Sequence, residues 1–389
     1  LELKEENLDW LLPSHGQPIS NLAPAIDCLI YPLWELLQTR QQNPRLFRLR
    51  EQPFVEITPH LLHNRTSMAD YYVLLSQSGK ALFIDFGYDF MTGAAAGFDR
   101  GSRRPWLYTL STLKRQYGVV QVEVVIPTHY HDDHVAGFNL LRDVERTQVW
   151  APANFAAILE NPWRYDLPCL WYDPIPVDRV LPLAKGFTWE EYQLTVYPQP
   201  GHTQYAAAIY FEVDGQKVLA IGDQYQGEDF LWNYVYKNRY QIGDYVKVAK
   251  LYRSLQTDLL LTGHGGPKEV NDEFLAKLEQ REQELDRLHR ALLPLADLDL
   301  GAEGFAARLE PYQVTVEGGK QVQYRAEIRN PFPQQLNGTV RICKPQDFKV
   351  DRETIRLELE PHEWREVSFV LTVPEGIKVR RARLAVDLT

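Results

Sequence analysis

Residues 122–141 read VEVVIPTHYHDDHVAGFNLL. The mainly apolar run VEVVIP predicts a strand buried on both faces, as in a parallel sheet covered by helices. Directly behind it, six consecutive positions hold three of the chain's ten histidines and two aspartates: His129, His131, Asp132, Asp133 and His134. Polar groups gathered where an apolar strand ends are there to hold something. His129 and His131 stand two apart, so on an extended strand end they point to one side. Asp133 and His134 fall where VAGFNLLRDVE resumes helical spacing, and they face a second point nearby. Imidazole and carboxylate suit Zn²⁺ and its neighbours, yet four such groups fill only part of two coordination shells. More ligands are therefore expected elsewhere in the chain.

Outward from that stretch, residues 53–293 alternate strand and helix patterns, as in a layered α/β domain. DYYVLLSQSGKALFIDFG predicts two strands joined by a polar turn at Ser76 to Lys80. PWLYTLSTLKRQYG has helical spacing and stops on Gly118. YQLTVYPQPGHTQYAAAIYFEVDGQKVLAIGDQ predicts three strands, with a hairpin turn at Asp214-Gly215. The predicted strand ends bring His202 (in PGHT), Asp223 (in LAIGDQ) and His264 (in LLTGHG). Each follows an apolar run beside a glycine, where backbone can pass close to a site. In α/β domains the carboxyl ends of strands are where sites assemble.

H-x-H-x-D-H at 129–134, G-H-T at 201–203, G-D at 222–223 and G-H-G at 263–265 resemble the metallo-β-lactamase superfamily. LFIDFG, with Asp85 and Gly87, resembles that family's early structural motif. The resemblance covers residues 53–293, and all five motifs stand in order. It implies an αββα sandwich with two metal ions at one edge between its sheets. His129, His131 and His202 would bind one ion; Asp133, His134 and His264 the other; Asp223 would bridge both. Zn²⁺ is the ion first expected, with Fe or Mn as alternatives. Asp133 and Asp223 are also the catalytic candidates. Asp85 is expected to orient the metal-side loops through hydrogen bonds.

The activity so implied is hydrolysis of a small ester, thioester, lactone or related molecule by a metal-bridging hydroxide. An aspartate at 223 resembles the hydroxyacylglutathione hydrolase, lactonase and ribonuclease Z branches, and disfavours antibiotic hydrolysis. Three alternatives stay open: a phosphodiesterase or ribonuclease of the same fold, an iron-dependent oxidoreductase of the persulfide dioxygenase type, and a scaffold. The basic stretches RGSRRP (100–105) and KNRY (237–240) keep the nuclease in play. Against it, the net charge of −10 does not favour a nucleic-acid partner. A small-molecule substrate is expected instead.

Other residues carry weaker expectations. Tyr130 should pack beside the site, and Asp132 should be a solvated or helix-capping carboxylate. His60 and His63 lack partner spacing and are expected to serve structure. Tyr225, Trp232 and Tyr236 are candidates for a pocket wall, though core packing is the safer reading. RYDLPCLWYDP (164–174) is a weaker candidate for a lid.

At 389 residues the chain exceeds one ordinary domain. DWLLPSHGQP (9–18) and DLLLTGHGGP (258–267) share D-x-L-L-x-x-H-G-x-P at an offset of 249 residues, and a helical stretch follows each. Residues 1–49 therefore read as the tail of a truncated upstream repeat, leaving His15 without partners. Residues 50–295 form the catalytic domain. From 303 to 389 apolar and polar residues alternate between Gly, Pro and Asn, predicting a small immunoglobulin-like β-sandwich. That module leaves oligomer formation open. No apolar run is long enough to span a membrane. Cys28, Cys169 and Cys343 are scattered, as thiols in a reducing compartment would be, so a cytoplasmic location is expected.

Overall fold

The computed structural model describes residues 8–41, 51–89, 107–225, 241–292, 298–299 and 306–389. They fall into two compact units, Leu1–Pro53 and Phe54–Thr389.

In the larger unit a seven-stranded sheet runs in chain order: β1 (Phe54–Thr58), β2 (Leu61–Asn64), β3 (Tyr72–Leu75), β4 (Lys80–Ile84), β5 (Gln121–Ile126), β6 (Gln148–Pro152) and β7 (Arg179–Leu181). β1 to β4 are antiparallel neighbours, and β4 to β7 are parallel. Parallel neighbours need a crossover. The helices Tyr108–Gln116 and Phe138–Glu145 supply two of them, between β4 and β5 and between β5 and β6. The second sheet contains β8 (Gly186–Trp189), β9 (Tyr192–Pro198), β10 (Ala207–Val213), β11 (Gln216–Gly222), β12 (Leu259–Thr262) and β13 (Pro267–Glu269), ordered β13-β12-β11-β10-β9-β8. Asp214 and Gly215, both at positive φ, turn β10 into β11, as their sequence predicts. The helix Asp244–Leu255 carries β11 over to the parallel β12.

Burial follows the strand period of two. Leu82, Ile84, Val124 and Ile126 face the second sheet, where Val196, Ile209, Phe211, Val218 and Leu261 meet them. The alternate residues Phe83 and Val125, and Val122 across a register shift at the start of β5, face Leu110, Leu113, Phe138 and Leu141 on the helices of the first layer. On the far side, Leu219, Ile221 and Leu260 pack against Tyr245, Val248, Tyr252, Leu275 and Leu278. Helix, sheet, sheet and helix thus stack in an αββα sandwich. Each fully buried aliphatic side chain in these layers contributes roughly 1.5–3 kcal/mol.

Beyond it lie β14 (Ala307–Glu310), β15 (Gln321–Arg329), β16 (Leu336–Cys343), β17 (Lys349–Val350), β18 (Thr354–Leu359), β19 (Trp364–Thr372) and β20 (Ala385–Leu388). They form a four-stranded and a three-stranded sheet, β14-β15-β19-β17 and β18-β16-β20. Tyr324, Ile328 and Phe369 from one sheet share a core with Val340, Ile342 and Leu359 from the other. This all-β module touches the sandwich at residues 163–166. The amides of Tyr312 and Gln313 donate to the carbonyls of Arg164 (3.3 Å) and Trp163 (2.9 Å), and Arg164 pairs with Glu310.

In the smaller unit Leu11 and Ile19 exchange two backbone hydrogen bonds of 2.9 Å each, and the helix Leu22–Gln41 follows. Shifted by the offset of the sequence repeat, this pair falls on Leu260 and Lys268, which are partners in the β12–β13 ladder. Among the described residues, no helix is long and apolar enough to cross a membrane.

Candidate metal centre

Five strands that end at this edge of the sandwich each deliver a polar side chain to one place. Past β4 comes Asp85, past β5 His129 and His131, past β9 His202, past β11 Asp223 and past β12 His264. The short helix Asp132–Val135 turns Asp133 and His134 toward the same place. All seven residues singled out by spacing and resemblance are brought together. His129, His131, His202 and Asp223 form one group able to hold a cation; Asp133, His134, Asp223 and His264 form another. Within each group the ligand atoms lie within 4.8 Å of one another, and Asp223 belongs to both.

The two sheets meet here through the backbone. His129 bridges to Ala206, and the Ala207 amide donates to the Thr128 carbonyl at 2.8 Å. Glycine permits two close approaches. A Cβ on Gly87 would collide with the Asp133 carbonyl, and one on Gly263 with Asp223 Oδ1 and His134 Cε1. That is the physical content of the glycines flanking these motifs.

Three of the five imidazoles are aimed from behind. Asp85, only 2% exposed and at φ 62°, accepts from the Thr128 amide (2.7 Å), the Thr128 hydroxyl (2.8 Å) and His134 Nδ1 (2.8 Å). Thr128 Oγ1 lies 3.1 Å from His129 Nδ1. His264 Nδ1 donates to the Met68 carbonyl at 2.9 Å. With Nδ1 engaged in all three, Nε2 is left for the centre. His134 Nε2 stands 3.1 Å from Asp223 Oδ1; His264 Nε2 stands 3.4 Å from Asp223 Oδ2 and 3.3 Å from Asp133 Oδ2. His202 Nε2 lies 3.1 Å from His131 Nδ1 and 3.5 Å from Asp223 Oδ2.

His129 Nε2 decides the fit. It is buried and makes no hydrogen bond. A buried imidazole nitrogen without a partner costs free energy that a coordinate bond removes. The ion pairs of Asp133 and Asp223 among the described residues are all with imidazoles, a donor set that suits Zn²⁺ and similar ions. The residues fit two cations.

The electrostatics of the metal-free protein agree. Burial and the neighbouring imidazoles hold His129 well below its ordinary pKa, which keeps it neutral. Burial alone would lower His264, yet Asp223 and Asp133 push it up to about 10. Burial would raise Asp133 and Asp223, but imidazolium charge holds both below the carboxylate range. Protons on His134 and His264 thus occupy places a cation can take.

Other expectations resolve as follows. Tyr130 is buried edge-on to His131, with centroids 4.7 Å apart. Asp132 is buried at the first turn of its helix, not solvated, beside the 164–174 segment. In that segment the Cys169 carbonyl accepts from the Asp132 amide (2.9 Å), and Leu170 bridges to His131. The proposed lid residues thus back the motif. Tyr225 belongs to the core with Tyr245 and Tyr252. Trp232, Tyr236, RGSRRP and KNRY lie outside the described residues. His60 pairs with Asp214 at 2.7 Å and His63 with Asp70 at 3.0 Å, so neither joins the centre. Residues that the sequence reading missed are Thr128, Met68 and Asp70. No spacing signal marks them, since each works through a fold contact.

The family model of the metallo-beta-lactamase superfamily matches residues 66–281. No curated protein matches the chain. Among solved structures, a Cronobacter sakazakii metallo-β-lactamase with a HARLDQ motif is similar at 15% identity and a TM-score of 0.46, covering 62% of this chain and 95% of that one. A subclass B3 metallo-β-lactamase of Bradyrhizobium japonicum is similar at 16% identity and a TM-score of 0.45, with 63% and 96% covered. A class B3 di-zinc metallo-β-lactamase from an Alaskan soil metagenome is similar at 15% identity and a TM-score of 0.41, with 59% and 93% covered. The family rests on the matched model, which takes in more than half of the residues: the chain belongs to the metallo-β-lactamase superfamily.

Proposed function

We propose that the chain is a binuclear metal-dependent hydrolase of a small ester, thioester, lactone or related molecule. The observation that carries this reading is the shared position of Asp223 in two adjoining donor groups. His129, His131 and His202 hold one ion, and Asp133, His134 and His264 the other, with Asp223 common to both. Zn²⁺ suits the set best, with Fe or Mn as alternatives. When bound, such a pair supplies Lewis acidity and lowers the pKa of water to about 7.

The protein's own part is orientation and charge. Asp85, Thr128 and the Met68 carbonyl fix the ring tautomers, so that three Nε2 lone pairs face inward. Asp133 and Asp223 stay ionised and offset the cation charge. In the domain reading, residues 50–295 are catalytic, 303–389 are an immunoglobulin-like sandwich, and 1–49 carry a second copy of the strand-and-helix pattern found from residue 258 onward. The matching register of Leu11–Ile19 and Leu260–Lys268 supports the last of these.

The test is a panel of thioester, lactone, phosphodiester and sulfate-ester substrates on wild type and Asp223→Ala, with metal content measured in both. Wild type should turn over a carbon ester, thioester or lactone, and the variant should lose at least one metal equivalent and nearly all turnover. Full activity in the variant sinks the bridging role. Turnover of phosphodiesters alone sinks the substrate class.

A further inference from the structure

The loop that carries His264, residues 263–266, is held by one carboxylate from the opposite sheet. Asp70 lies just ahead of β3. Its Oδ2 accepts from the amides of Gly265 (2.9 Å) and Gly266 (2.7 Å), and its own amide donates to the Gly263 carbonyl at 2.6 Å. Asp70 Oδ1 faces His63 Nε2 at 3.0 Å. The His63 ring stacks on Tyr72, with centroids 5.1 Å apart, and the Tyr72 hydroxyl donates to the Thr262 carbonyl at 2.7 Å. Gly265 and Gly266 sit at φ +140° and +77°, conformations that leave both amides pointing at one acceptor. Two residues upstream of Asp70, the Met68 carbonyl takes the Nδ1 proton of His264.

We propose that Asp70 is a positioning residue for His264, and that it governs occupancy of the Asp133/His134/Asp223/His264 group while leaving the His129/His131/His202 group alone. The selectivity comes from the contacts: the recorded bonds of Asp70 run to residues 263, 265 and 266 and to His63, none of which belongs to the three-histidine group. Without the carboxylate, the two glycine amides lose their common acceptor and the loop regains the freedom that glycine confers. His264, its side chain 27% exposed, is the ligand least held by packing and the one that depends most on its loop. Supporting groups of this kind typically change metal affinity by about 10–100-fold when removed.

This inference rests on the metal-centre reading, so its test separates the two. Full-length wild type, Asp70→Ala and Asp70→Asn are titrated with Zn²⁺ at equilibrium, and with Co²⁺ to follow the visible spectrum of each site. Asp70→Ala should weaken one equivalent by about 10–100-fold. The other equivalent and its Co²⁺ bands should keep wild-type values. Asp70→Asn retains an acceptor oxygen and should restore most of the loss, which also covers the case of an unstable alanine variant. Equal weakening of both equivalents, or wild-type affinity in both variants, overturns the proposal. Failure of wild type to bind a second equivalent overturns the metal-centre reading, and this proposal with it.

Discussion

Asp85 offers the sharpest test of how the centre is built. It is buried, sits at φ 62°, and accepts three hydrogen bonds, from Thr128 N, Thr128 Oγ1 and His134 Nδ1. In Asp85→Ala the Thr128 hydroxyl can turn to His129 Nδ1, 3.1 Å away, but the Thr128 amide and the His134 ring stay buried without an acceptor. Two such groups cost about 2–6 kcal/mol together. Alanine in the left-handed region adds roughly 1 kcal/mol. That is a large share of the ~5–15 kcal/mol by which a domain is stable. Asp85→Asn is the more telling change. Asparagine tolerates the left-handed backbone and keeps an oxygen for the Thr128 amide, so its stability loss should be only about 1.5–3 kcal/mol. Its NH₂, however, meets His134 Nδ1 as a donor. The ring must then accept at Nδ1 and carry its proton on Nε2, where the lone pair is needed. Urea unfolding with chelator present measures the first effect, and Zn²⁺ titration the second, expected as a loss of about 10–100-fold at one equivalent. An Asp85→Asn protein that binds two equivalents as tightly as wild type refutes the tautomer argument.

Two further outcomes follow from the same geometry. Gly263→Ala places a methyl against Asp223 Oδ1 and His134 Cε1 and should reduce bound metal, measured by elemental analysis, while far-ultraviolet circular dichroism stays native. In the metal-free protein, stability should depend on pH in a defined direction. His264 titrates near 6.5 unfolded but about 10 folded, so its contribution is complete below 6.5 and drains away as pH rises through 10. Asp133 is held below 3.8, so its contribution is complete above that value and fades as pH falls further. Urea midpoints in chelator should therefore decline from pH 6.5 to 9.5; a rise across that window contradicts the assignment.

Much of this was legible in the sequence because periodicity and punctuation agreed. VEVVIP became β5, Asp214-Gly215 became the hairpin turn, and the polar residues after β5, β9, β11 and β12 converged because strand ends converge in this architecture. What stayed illegible depends on contacts that no local pattern encodes. Asp70 meets Gly265 and Gly266 across more than 190 positions, and the Met68 group that matters is a backbone carbonyl, which any residue would supply. The solvated alternative for Asp132 fails for the same reason: its sequence neighbours look solvent-facing, but it is buried in the first turn of its helix, where the Cys169 carbonyl meets its amide.

The donors come from both halves of the sandwich, four from the β5 side and three from the β9, β11 and β12 side. A chain with one sheet formed and the other still loose cannot present either complete donor group. On the proposed metal reading, an ion would be a late rivet, since neither donor group is complete until the layers are stacked. Stabilisation acquired so late in folding slows unfolding while leaving folding largely untouched. On that reading, removing the ion would shorten the folded lifetime and lower the stability by the same factor, with the folding rate largely unchanged.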